Sequence, residues 1–187
     1  MRWSVAVRPM PSQTRCGDAG VVVATEAFVT AVLVDGLGHG EGAAEVADLA
    51  VAVATAQAAL LPSELLRALD VALTGSRGAV ASVLRIEAGV ATFAGIGNVS
   101  LAFAGHRPFG PVTVPGILGR RLRKVKTSSH ELAPGDRLAL YTDGVSSRLD
   151  LRSAAVAPEQ LAHAVIERWG KATDDAGCIA LGWVADP

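Results

Sequence analysis

In its 187 residues the chain carries 17 Lys plus Arg against 18 Asp plus Glu, a formal net charge of -1, and half of its residues are apolar. That even balance excludes a general nucleic-acid coat protein, whose affinity rests on an excess of cations. The apolar half excludes intrinsic disorder, because enough surface can be buried to offset the ordering entropy. Size scaling gives roughly 8,400 Å² of folded surface against about 28,000 Å² unfolded, as for one ordinary domain over residues 1–187. The N-terminal apolar stretch is short and broken by Arg2 and Arg8, unlike a signal-peptide core, and no run approaches a membrane span of ~20 apolar residues. Cys16 and Cys178 lie far apart without a C-x-x-C partner, which fits a reduced compartment. A cytoplasmic location is expected.

In chain order, Trp3 to Val7, Ala19 to Ala24 and Thr30 to Val34 read as strands bounded by turn residues. The glycine-rich turn Asp35-Gly36-Leu37-Gly38-His39-Gly40 follows. Glu41 to Leu60 predicts a helix with Val46, Leu49, Ala50, Val53 and Leu60 as its apolar stripe. Pro62 opens a second helix with Leu65, Leu66, Leu69 and Leu73 inward, and Gly75 ends it. Val80 to Ile86, Val90 to Ala94 and Val99 to Ala104 predict an antiparallel meander, with Glu87-Ala88-Gly89 and Gly95-Ile96-Gly97-Asn98 as hairpin turns. The basic cluster Arg120 to Lys126 reads as a solvated strand edge, with docking of an acidic or phosphorylated partner as the alternative, and another strand is expected after it. Arg137 to Thr142 predicts a strand, Pro158 to Trp169 a helix, and Cys178 to Val184 the last strand. This order lacks the regular alternation of a parallel doubly wound sheet, so an α+β layering of antiparallel sheets covered by helices is expected.

Acidic residues recur where apolar strands meet turns: Asp18, Asp35, Asp143 and the pair Asp174-Asp175. Taken singly, each is a turn or cap residue. Two carboxylates ~4 Å apart repel by about 4 kcal/mol at an effective dielectric near 20, so their convergence would imply a cation. All-oxygen ligation suits magnesium, manganese or calcium, and no Cys/His set with zinc spacing is present.

The ordered series Gly17-Asp18, Asp35-Gly36-Leu37-Gly38-His39-Gly40, Gly95-Ile96-Gly97-Asn98, Thr142-Asp143-Gly144-Val145 and Asp174-Asp175-Ala176 resembles the PPM-type, metal-dependent serine/threonine phosphatases. Within them it is similar to the SpoIIE-like branch and its short stressosome members. What the resemblance implies is a four-layer αββα sandwich of two antiparallel sheets flanked by helices. It also implies two divalent ions, manganese or magnesium, with Asp35 bridging both, the Gly36 carbonyl helping to hold one, Asp143 and Asp174 as later ligands, and Asp18 near the second metal. Asp175 adjoins a ligand position as its support. Ions roughly 3.5–4 Å apart would share a water and present hydroxide to a phosphate ester, with no nucleophilic side chain required. The implied substrates are phosphorylated STAS-domain or related regulatory proteins of a bacterial stress-signalling module.

Larger members of the family carry a histidine directly after the Asp-Gly pair, where this chain has Leu37, and the histidine falls at His39. His39 is read as shaping the glycine turn, with protonation of the leaving group as the alternative. Arg15 is a candidate for phosphate binding. His106, His130 and His163 are read as turn or solvated residues, and Trp3, Trp169 and Trp183 as packing. Asn98 is read as a positive-φ hairpin residue, although the resemblance implies that its turn lies near the metal centre. Two other functions compete: a nucleotide-binding protein using the turn after Val34, and a catalytically silent phosphatase-like binding module.

Overall fold

The structure is a computed structural model and describes residues 1–183. Among the described residues nine strands form two antiparallel sheets. One contains β1 (Arg2–Arg8), β9 (Ala176–Gly182), β8 (Arg137–Tyr141) and β6 (Ser100–Ala104), in the order β1-β9-β8-β6. The other runs β2 (Asp18–Ala24), β3 (Phe28–Gly36), β4 (Ala79–Glu87), β5 (Val90–Ile96) and β7 (Thr127–Glu131), in that order. Helices α1 (Glu41–Ala56) and α2 (Pro62–Ala72) cover the second sheet, and α3 (Pro158–Trp169) covers the first. The expected four-layer αββα sandwich is therefore present.

The layering explains why β3 is apolar without a break. Its Val32 and Val34 face α1 and α2, while Ala31 and Leu33 face the opposite sheet, so both faces are dry. Strand β9 does the same, with Ile179 and Leu181 between the sheets and Cys178 and Ala180 under α3. Burial holds both thiols in the protonated form, pushed up to about 12 at Cys16 and at Cys178.

Helix α2 buries Leu65, Leu66 and Leu69, with Leu73 at its C-cap also inaccessible and Gly75 beyond at φ +85°. Helix α1 departs from expectation. It ends at Ala56 rather than Leu60, and it buries Ala43, Ala44, Val46, Ala47, Ala50 and Ala54, leaving Leu49 exposed. The small face is required because β3 presses against it: a Cβ on Gly36 would collide with the Ala43 carbonyl.

The expected three-strand meander is also corrected. β4 and β5 form a hairpin through Ala88 and Gly89, both at positive φ, but β6 leaves for the other sheet and pairs with β8. Gly95 to Asn98 is thus a crossing between sheets. Gly97, not Asn98, takes the positive φ, and a Cβ there would strike Val80. The basic run Arg120 to Lys126 is a loop leading to edge strand β7, not a strand edge itself. The last strand starts earlier than expected, at Ala176, and the predicted end at Val184 lies outside the described residues. No helix among the described residues is long and apolar enough to cross a membrane.

Candidate metal centre

Strand pairing fixes the first two acids. Asp18 opens β2 and Asp35 nearly ends β3, and the two are register partners. Asp143 follows β8 by two residues, and Asp174 and Asp175 immediately precede β9. Since β8 and β9 are paired neighbours in one sheet while β2 and β3 are neighbours in the other, the acids gather at one end of the sandwich. Their mutual electrostatics agree. Asp35 is pushed up to about 7 by burial and then by the charges of Asp143, Asp174 and Asp175. Burial first, then Asp35, holds Asp18 well above the usual carboxylate range, against a hydrogen bond from Thr142 that favours its ionised form.

Ligand geometry is less complete than this charge concentration. Among the described residues no three Asp, Glu, His or Cys side chains meet as a ready-made metal point. The acids ring a common rim, and the hydrogen bonds that orient them differ from one to the next. The Asp18 Oδ2 accepts from the Thr142 hydroxyl at 2.7 Å, and the Thr142 Oγ1 in turn accepts from the Gly177 amide at 2.9 Å, a buried chain joining the two sheets. Asp143 is exposed. Its Oδ2 accepts from Asn98 Nδ2 at 2.8 Å, and its backbone carbonyl accepts from Lys171 Nζ at 2.5 Å. Asp174 Oδ1 accepts from the Asp175 amide at 2.9 Å.

Asp175 is buried and uses both oxygens structurally, accepting from the Met10 and Gly17 amides at 2.8 Å each. It thereby pins the segment that delivers Asp18. The Gly36 amide donates to the Gly17 carbonyl at 3.0 Å, tying the same segment to the end of β3. Gly144 lies so close to Asp175 that a Cβ there would overlap its carbonyl.

His39 is exposed at the crest of the glycine turn. The turn itself is held by Gly38 and Gly40 at positive φ, by Leu37 donating to the Gly78 carbonyl, and by Arg77 Nη1 donating to the Leu37 carbonyl at 3.1 Å. Arg15 ion-pairs with Glu41 and Asp48 of α1, so its guanidinium is already engaged by carboxylates. His130 stacks on Phe109, His106 pairs with Asp136, and His163 is exposed on α3. Thr142 and Lys171 are the contributors that sequence reasoning missed in these positions. Asn98 sits beside Asp143, on the side the family resemblance implies for its turn, and does not take the positive φ of the hairpin reading.

An all-oxygen rim of this kind suits a hard divalent cation, which would also relieve the repulsion that raises Asp35 and Asp18. It does not suit a nucleotide. Glu41 places a negative charge in the first turn of α1, and every strand pair in both sheets is antiparallel, so no βαβ crevice exists among the described residues.

Comparison with known proteins is consistent with this chemistry. The family model for Stage II sporulation protein E (SpoIIE) matches residues 26–181. The phosphoserine phosphatase RsbX of Bacillus subtilis (strain 168) is 30% identical over 148 residues, covering 74% of this chain and 71% of that protein. A chain from a solved structure described as the bacterial stressosome, a modular system adapted to control secondary messenger signaling, superposes with a TM-score of 0.89 at 25% identity, covering 95% of this chain and 97% of that one. RsbX in complex with magnesium superposes with a TM-score of 0.83 at 23% identity, over 94% of this chain and 92% of that one. The chain belongs to the SpoIIE family of PPM-type, metal-dependent serine/threonine protein phosphatases.

Proposed function

We propose that this chain, acting as one catalytic unit in the cytoplasm, removes phosphate from phosphoserine or phosphothreonine on stressosome STAS-domain or related regulatory proteins. The observation that carries the metal-dependent part is the gathering of Asp18, Asp35, Asp143 and Asp174 at one end of the sandwich, where burial and the neighbouring acids push the Asp35 carboxyl up to about 7. The stressosome part is supported by the likeness to RsbX and to the stressosome chain.

In this reading Asp18, Asp35, Asp143 and Asp174, with the Gly36 carbonyl, would hold two divalent ions, manganese or magnesium. Such ions supply a water of lowered pKa and neutralise charge on the phosphoryl oxygens. The chain's own residues set the stage for this. Thr142 orients the Asp18 carboxylate from within the core, and Asn98 orients Asp143 at the rim. Lys171 braces the Asp143 backbone and adds a positive charge beside Asp143. Asp175 anchors the segment from Met10 to Gly17 that delivers Asp18.

The test is titration of the purified protein with manganese and with magnesium against p-nitrophenyl phosphate and a phosphoserine peptide. Metal-stimulated hydrolysis of both is expected, lost in Asp35→Asn and in Asp143→Asn while circular dichroism is unchanged. Full activity in either variant would remove that carboxylate from the assignment. Metal binding without any hydrolysis would favour the silent binding module.

A further inference from the structure

The long connection from β6 to β7 carries a feature that hydrolysis does not use. Residues 120–126 hold Arg120, Arg121, Arg123, Lys124 and Lys126, five of the chain's 17 cations. All five are exposed, and among the described residues none is in an ion pair. So dense a cluster of like charge is unfavourable on its own account, yet the loop is firmly held. Asp70 of α2 accepts from the Gly119 and Leu122 amides at 2.8 Å each, Leu118 is wholly buried, and Leu118 and Ala79 exchange backbone hydrogen bonds. Between the two Asp70 contacts, Arg121 takes a φ of +64°, a conformation unusual for a side chain of its size. The fixed loop borders a groove of about 430 Å³, whose floor is apolar at Val114, Ile117 and Leu122 and whose wall is cationic.

This groove adjoins the acidic rim. Gly78 lies so near Ile117 that a Cβ on it would strike that side chain, its carbonyl accepts from the Leu37 amide, and Leu37 follows Asp35-Gly36 directly.

We infer that the groove along residues 114–124 docks an acidic segment of the phosphoprotein substrate, next to the residue being dephosphorylated. The inference rests on the phosphatase reading proposed above. Charge complementarity favours an acidic polypeptide: Arg and Lys match carboxylates, and the apolar floor takes an intervening side chain. Nucleic acid fits worse, because the residues lining the groove include no aromatic ring on which bases would stack and the cations form one short cluster, not a track.

The experiment uses the full chain in chelator, so that binding is read without turnover. A labelled phosphoserine peptide flanked by Asp and Glu is compared, by fluorescence anisotropy, with the same peptide flanked by Asn and Gln. Exposed ion pairs are individually weak, so the cluster as a whole is expected to favour the acidic peptide by about tenfold. Raised salt is expected to erase that preference. The charge-reversed variant Arg120→Glu/Arg123→Glu/Lys124→Glu should lose it, as should the milder Arg120→Gln/Arg123→Gln/Lys124→Gln, which guards against misfolding of the first. With divalent metal restored, the same variants should raise KM for the acidic phosphopeptide and leave p-nitrophenyl phosphate hydrolysis unchanged. Equal binding of the two peptides by the wild type overturns the inference. So does an undiminished preference in the glutamine variant, or an oligonucleotide bound more tightly than the acidic peptide through the same residues. Binding that follows the expected pattern in a protein that hydrolyses neither substrate would sink the phosphatase reading and leave the docking surface standing.

Discussion

Thr142 shows how a neutral side chain governs a charged site. Its hydroxyl donates to Asp18 and accepts from Gly177, both contacts are buried, and Asp18 accordingly faces the rim in one orientation. Replacing it with valine keeps the volume and removes both bonds, leaving a carboxylate and an amide unsatisfied in the interior. Thr142→Val is expected to weaken divalent-metal affinity by about 10- to 100-fold, as for other residues that orient ligands. Isothermal titration with manganese checks this, and Thr142→Ser, which retains the hydroxyl, should remain near wild type. Equal affinity in the valine variant would show that Asp18 needs no such support. The residues that orient acids were the least legible part of the site in the sequence. The acids stood out because each lies where an apolar strand meets a turn, whereas Thr142 and Asn98 acquire their roles only from contacts 124 and 45 positions away in sequence.

At the scale of elements, α1 and α2 lie on the same sheet and are held by opposite means. α2 inserts leucines into the core, whereas α1 lies close on alanines, leaving Leu49 outside. Leu65→Ala is expected to cost about 2–5 kcal/mol by leaving a cavity, while Leu49→Ala should stay within about 0.5 kcal/mol. Gly36→Ala, which forces a methyl into the Ala43 backbone, should cost about 1–3 kcal/mol or more and displace the N-terminus of α1. Urea unfolding of the three variants separates these cases, and a large loss in Leu49→Ala would contradict the packing described for α1. The same contrast explains what the sequence disclosed. Helix α2 was readable because leucines at helical spacing announce the buried face. The buried face of α1 was obscured because alanine is a good helix former on either side of a helix, and the choice was made by the close approach of Gly36. Likewise Gly95 to Asn98 has the composition of a hairpin turn, and only the pairing of β6 with β8 makes it a crossing between sheets.

For the molecule as a whole, three apolar layers hold a rim of acids that repel one another, so stability and site occupancy are linked through protons. Asp35 has an ordinary value of 3.8 and is pushed up to about 7 in the folded chain, with Asp18 shifted in the same direction. Between those values the folded chain holds a proton that the unfolded chain releases, so the folded state of the metal-free protein loses stability as pH rises from about 4 through 7. Asp35→Asn keeps the shape and removes the titration. In chelator, the variant is therefore expected to melt above the wild type near pH 8 and to approach it near pH 4, as differential scanning calorimetry can measure. Saturating magnesium should reverse the order at the higher pH, because a cation held as proposed would stabilise the folded wild type by mass action, while the variant lacks the Asp35 carboxylate proposed to hold it. A melting difference that ignores both pH and magnesium would mean that the acids at the strand ends do not sense one another, and that the end of the sandwich is no metal centre.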